Sequence, residues 1–77
     1  MSHTKLPLLS GRELIRALAK IGYVVLRQHG SHIRLAHPGD SKRKKLTVPD
    51  HKILGRGLLR KILRDAEVSV EEFNKLL

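Results

Sequence analysis

The chain contains no cysteine and no tryptophan, and its 77 residues include one tyrosine (Tyr23) and one phenylalanine (Phe73). The absence of cysteine excludes disulfides, a thiolate nucleophile and cysteine-ligated zinc. Two aromatics are too few for the base-stacking platforms of RNA-binding sheets and oligonucleotide-binding barrels. No apolar run approaches the roughly 20 residues of a membrane-spanning helix. The start, Met1-Ser2-His3-Thr4-Lys5, lacks the apolar core of a secretion signal, so a cytoplasmic protein is expected. Acidic residues are scarce too: seven Asp and Glu face sixteen Lys and Arg, for a net charge of +9.

That charge is unevenly spread. Residues 1–64 carry fifteen basic and three acidic side chains, whereas residues 65–77 carry one basic and four acidic. A basic body points to a polyanionic partner, nucleic acid before a membrane surface. A chain this short buries only about 60% of its unfolded surface, which predicts one domain with its site on the surface or in a shallow groove. The core of that domain is expected over residues 10–77, with 1–9 a flexible N-terminal segment and the free protein a monomer.

Hydrophobic spacing gives the order α-β-β-β-α-α. Ser10 caps a helix starting at Gly11, with Glu13 placed for a capping box. Leu14, Ile15, Leu18 and Ile21 recur at helical spacing, Gly22 ends the run, and Arg12, Arg16 and Lys20 stripe the polar face. Tyr23–Gln28 reads as a strand, His29-Gly30-Ser31 as a turn and His32–Ala36 as a second strand. With Ile33 and Leu35 turned to the core, alternation puts His32 and Arg34 side by side on the wet face. Pro38-Gly39-Asp40 marks a turn, Lys42 to Lys45 a basic run, and Leu46-Thr47-Val48 a third strand. Residues 50–57 read as a loop. The following helix sets Leu58, Leu59, Ile62, Leu63 and Ala66 on one face and Arg56, Arg60 and Arg64 on the other. Val68-Ser69 with Glu72-Phe73 combines a capping box and a hydrophobic staple, which predicts a last helix to Leu77. The expected core is Leu14, Leu18, Ile33, Leu35, Leu46, Val48, Leu59, Ile62 and Leu63.

The chemistry concentrates in His29-Gly30-Ser31-His32. Histidine takes and gives protons near neutrality, and its cationic surroundings fit metal-free cleavage of RNA. His32 is the expected general base, removing a 2′-hydroxyl proton so that the oxygen attacks the adjacent phosphorus; DNA lacks that hydroxyl. His29 and His51 are auxiliary candidates for a general acid, but the preferred reading is ordinary for both. His29 is then an exposed turn residue and His51 a loop residue hydrogen-bonded near Pro49, since slow RNA cleavage does not demand a dedicated acid. Gly30 and Ser31 suit a turn whose amides and hydroxyl meet a phosphate. Arg27 and Arg34 flank His32, and Lys42, Arg43, Lys44 and Lys45 form a phosphate anchor. His29, His32 and His37 with Asp40 do not converge on an extended strand and turn as metal ligands do, so no metal and no cofactor are expected.

Five segments then carry a resemblance: Ser10-Gly11-x-Glu13-Leu14, Leu18-x-x-x-Gly22-Tyr23, Arg27-Gln28-x-Gly30-Ser31-His32, Val48-Pro49-x-His51 and Gly57-x-Leu59-Arg60-Lys61-Ile62-Leu63. In this order, over roughly residues 10–74, the chain resembles the HicA family of toxin–antitoxin mRNA interferases. The resemblance implies an α+β fold like the double-stranded-RNA-binding domain, with a three-stranded antiparallel sheet and helices on one face. It also implies a small endoribonuclease that cuts mRNA, has the histidine of its Gly-Ser-His motif (His32) as catalytic residue, and is silenced by a HicB-like antitoxin. Leu58 stands where the family usually has threonine and Glu67 where glycine is common. A non-catalytic double-stranded-RNA-binding module of the same fold is the alternative.

Overall fold

The computed structural model describes residues 5–77. Its elements are α1 (Gly11–Ala19), β1 (Val24–His29), β2 (His32–Ala36), β3 (Leu46–Pro49), α2 (Arg56–Asp65) and α3 (Val70–Leu76). The strands form one antiparallel sheet in the order β1-β2-β3. This is the expected α-β-β-β-α-α architecture, a small α+β fold consistent with the double-stranded-RNA-binding type.

Both serine-led helix starts form complete capping boxes. The Glu13 backbone N–H donates to Ser10 Oγ at 3.1 Å and the Ser10 N–H to Glu13 Oε1 at 2.8 Å. Ser69 and Glu72 repeat the pattern at α3. Gly11 does more than start a helix. A Cβ there would lie 2.0 Å from the Pro49 carbonyl oxygen, so the start of α1 packs directly on the end of β3. At the far end, Gly22 has φ 105°, and Tyr23 N–H reaches back to the Leu18 carbonyl at 3.2 Å.

All nine expected core residues are buried, joined by Leu6, Leu9, Ala17, Tyr23, Leu54, Ala66 and Phe73. Four expectations need correction. Leu6 and Leu9 are buried, and the Leu9 carbonyl accepts from Leu54 N–H at 2.9 Å. Leu6 and Leu9 therefore tie this segment to the domain because their aliphatic side chains join its core; residues 1–4 lie outside the described residues. The first strand runs Val24–His29, with Tyr23 turned into the core ahead of it. Helix α2 begins at Arg56, two residues before the end of the expected loop, because the Gly55 carbonyl already accepts from Leu59 N–H. Finally, Leu58 is 39% exposed and leaves the buried stripe of α2 to face a surface groove.

The hairpin closes in two residues. His29 pairs with His32, leaving only Gly30 and Ser31 in the turn. Gly30 has φ 58° and Ser31 does not share the positive φ, the pattern of a type II′ turn with glycine first. A bulge between Val25 and Arg27 shifts the register of β1.

Candidate active site

Register decides which side chains meet. Arg27 pairs with Arg34 and His29 with His32 across β1 and β2, while Arg34 pairs with Thr47 and His32 with Pro49 across β2 and β3. Directly opposed residues share a face. His29, His32, Arg27 and Arg34 therefore occupy the face opposite the one on which Ile33 and Leu35 meet the core. Two arginines in direct opposition repel. Among the described residues neither has a carboxylate partner; Arg34 Nη1 donates to Thr47 Oγ1 at 2.8 Å. That leaves an uncompensated cationic strip beside His32.

His32 and Arg34 line a groove of about 420 Å³ whose other wall comes from α2 through Leu58, Lys61 and Asp65. His51, from the β3–α2 connection, lines the same groove, as does Lys45. His29, at the hairpin end, is not among its lining residues. His32 and His51 are both exposed. The cationic rim is partly neutralised at one end, where Asp65 takes Lys61 at 2.9 Å and Lys44 at 3.8 Å. The hydrogen bond from Lys61 holds the Asp65 carboxyl below the usual carboxylate range, with the Lys61, Lys44 and Arg64 charges adding to the effect.

The hairpin tip is braced by residues that the sequence pattern does not single out. Gln28 Nε2 donates to the Gly30 carbonyl at 2.9 Å and to Asp50 Oδ2 at 3.3 Å. Asp50 N–H donates to the Ser31 carbonyl at 2.6 Å. The Asp50 carboxylate receives Arg12 Nε and Nη2, each at 3.0 Å, in a bidentate fork. The Arg12 hydrogen bond, supported by Gln28 and by the charges of Arg12 and His51, keeps the Asp50 carboxyl below its ordinary range. Arg12, expected on a polar stripe, is thus a strut between α1 and the exit of β3. The one sequence signal for this brace is that Gln28 belongs to the same short motif as Gly30, Ser31 and His32.

The basic run is divided. Lys42 and Lys45 are exposed, and Lys44 is shared with Asp65. Arg43 turns inward, with Nη1 donating to the Ala66 carbonyl at 2.5 Å and Nε 3.5 Å from Asp40. His37 is also turned inward. Its Nε2–H donates to the Ile21 carbonyl at 2.7 Å, and its ring meets Tyr23 edge-on at 5.1 Å. A Cβ on Gly22 would come within 2.6 Å of that ring. Among the described residues no three His, Asp or Glu side chains gather around a common metal position.

With this geometry, the sequence can be set against known families. The family of HicA toxins of bacterial toxin–antitoxin systems matches residues 11–68. The chain belongs to the HicA toxin family. It is therefore the toxin of a toxin–antitoxin pair, a role that implies an antitoxin partner. No curated protein matches the chain. The matched span runs from the first residue of α1 through the groove walls to the turn after α2, so every residue of the His32 groove lies within it. In this HicA chain Glu67 adopts φ 59° and α2 closes through Val68 N–H to the Leu63 carbonyl at 2.9 Å. No helix of the described chain is long and apolar enough to cross a membrane.

Proposed function

We propose that this toxin is a metal-independent endoribonuclease that cleaves mRNA in the cytoplasm, with His32 as general base. The observation that carries the proposal is the exposed imidazole of His32 in a groove rimmed by Arg34, Lys45 and Lys61. His32 takes the proton of a ribose 2′-hydroxyl, the oxygen attacks the adjacent phosphorus, and the bond to the 5′ oxygen breaks. The products are a 2′,3′-cyclic phosphate and a 5′-hydroxyl. Arg34, held toward β3 by Thr47, offers fixed positive charge to the phosphorane, and Arg27 adds to the field from the neighbouring strand. Positioned proton transfer of this kind contributes about 10²–10⁴-fold. Gly30 and Ser31 approach the backbone of the substrate at the hairpin tip, and Lys42 and Lys45 hold flanking phosphates. A HicB-like antitoxin silences the toxin by covering this basic groove with acidic surface.

The test is end-labelled RNA incubated in EDTA with wild-type and His32→Ala protein. Wild-type cleavage to cyclic-phosphate ends, lost in the variant, is the expected result. Since His32 is exposed, its replacement should leave the melting temperature nearly unchanged. RNA bound but cut by neither protein would overturn the enzymatic role and leave a binding module of the same fold.

A further inference from the structure

We propose that His51 is the general acid of this cleavage, delivering a proton to the departing 5′ oxygen; the assignment rests on the nuclease role given above to the His32 groove. Three other described histidines compete for the part that His32 leaves open, and the geometry separates them. His37 is committed to the Ile21 carbonyl and packed between Gly22 and Tyr23. His29 is the register partner of His32, side by side with it on the same pair of strands and outside the groove lining. In-line displacement puts the entering and leaving oxygens on opposite sides of phosphorus. An acid therefore has to reach the phosphate from another direction than the base does, and a neighbour on the same hairpin does not.

His51 meets that requirement. It lines the groove that contains His32 but comes from a different element, the β3–α2 connection. Its backbone is fixed from two sides. The preceding N–H, that of Asp50, donates to the Ser31 carbonyl at 2.6 Å, one residue before His32. Its own carbonyl accepts from Gly11 N–H at 2.9 Å. Both bonds use main-chain atoms, so the position of the residue is set while its imidazole stays exposed and, among the described residues, without a hydrogen-bond partner. The charged and titratable groups around it are His32, Arg34, Lys45, Lys61 and Asp65 in the groove and Asp50 next to it.

The step balances. The 2′-hydroxyl proton moves to His32, the new P–O2′ bond forms, the P–O5′ bond breaks, and the His51 proton moves to O5′. The enzyme finishes with His32 protonated and His51 neutral, and exchange with solvent restores both. No oxidant or metal is required.

A substrate with sulfur in place of the bridging 5′ oxygen tests the assignment, because a thiolate leaves without a proton. On ordinary RNA, His51→Ala should lose about 10²–10⁴-fold in kcat/KM, the usual contribution of general acid catalysis. On the sulfur-bridged substrate the variant should return to within about tenfold of wild type, since the proton is no longer needed. His32→Ala should lose equally on both. The kcat/KM of wild type should rise and then fall with pH, and His51→Ala should lose the high-pH fall. His51→Gln, which keeps polarity and bulk, should behave like His51→Ala, and both should melt with wild type because the anchoring bonds are main-chain. An equal loss on both substrates would make His51 a binding or structural residue, and unchanged cleavage of ordinary RNA would remove it altogether. Rescue of His29→Ala instead of His51→Ala would move the acid to the hairpin. Any of these, with wild type still cutting RNA, overturns the acid assignment alone. Wild type that cuts neither substrate overturns the nuclease role and this assignment with it.

Discussion

Gly11→Ala is the substitution whose cost can be worked most directly from the structure. The added Cβ would lie 2.0 Å from the Pro49 carbonyl oxygen and 3.3 Å from Val48 Cγ1, whereas real Cβ contacts essentially never fall under 3.0 Å. The start of α1 and the end of β3 must therefore separate by about 1 Å, the difference between those distances. Gly11 N–H sits 2.9 Å from the His51 carbonyl, and that bond does not survive such a shift. Overpacking costs about 1–3 kcal/mol, and leaving a buried donor unpaired costs about 1–3 kcal/mol more. The better helix propensity of alanine returns about 0.5–1 kcal/mol. A net loss of about 1–5 kcal/mol follows, centred near 3. Stability of about 0.05–0.15 kcal/mol per residue makes that a large part of the total for this chain. At about 4–8 °C per kcal/mol, the melting temperature should fall by roughly 10–30 °C. The assay is urea unfolding in a His32→Ala background, where toxicity does not limit expression, with the midpoint read at constant slope. A loss below about 1 kcal/mol would refute the reasoning, because the two elements would then have room that the structure denies them.

Glu67→Gly should raise the urea midpoint by the equivalent of about 0.5–1 kcal/mol, since Glu67 holds φ 59°, which only glycine adopts freely. With His32→Ala protein as a non-cleaving binder, Lys45→Gln should reduce the salt slope of single-stranded RNA affinity by about 0.7. Arg43→Gln should leave that slope unchanged and instead lower thermal stability, because its guanidinium holds the Ala66 carbonyl. Asp50 is held below its ordinary value of 3.8, first by the Arg12 hydrogen bond, so the unfolded chain takes up this proton before the folded one. Its stabilisation is complete above that ordinary value and is lost as pH falls through the lower folded one. The gap in urea midpoint between wild type and Asp50→Asn should accordingly narrow from about pH 6 to about pH 3, and a constant gap would contradict the pairing.

What the sequence made legible is what periodicity and short-range chemistry control. Ile33 and Leu35 alternate with His32 and Arg34, and that alone sends the histidine to the open face. Ser10 with Glu13 and Ser69 with Glu72 announce their capping boxes at a separation of three residues. Long-range partners leave no such trace. Arg12 and Asp50 are 38 positions apart, and Arg12 repeats at the same interval as any solvated stripe. Arg43 looks like its lysine neighbours until the turn after α2 brings the Ala66 carbonyl to it. Leu58 fits the apolar stripe of α2 by spacing alone, yet in the fold it is 39% exposed and lines the groove. Counting back from the two-residue turn sets Arg27 opposite Arg34, but the bulge near Leu26 then puts Val25 and not Leu26 opposite Leu35, which alternation counted from the turn does not reveal.

A chain of this size cannot enclose a reaction, so its precision has to come from pinning pieces of surface together. The hairpin tip, the exit of β3 and the start of α1 meet at one junction. Gln28 holds Gly30, Asp50 holds Ser31, Arg12 holds Asp50, and Gly11 holds His51. His32 and His51 are carried by the two sides of that junction, so their separation is set by bonds remote from the substrate. Lys42 and Lys45, proposed above to hold flanking phosphates, stand outside it. On that proposal adhesion to RNA and alignment for chemistry fall to different residues, and they should fail separately: Asp50→Asn in kcat with the salt slope intact, Lys45→Gln in the salt slope with kcat largely kept. The pairing also accounts for an acidic residue at this junction of so basic a chain. Asp50 is taken up by Arg12 and Gln28, so it braces the hairpin tip without presenting a free negative charge.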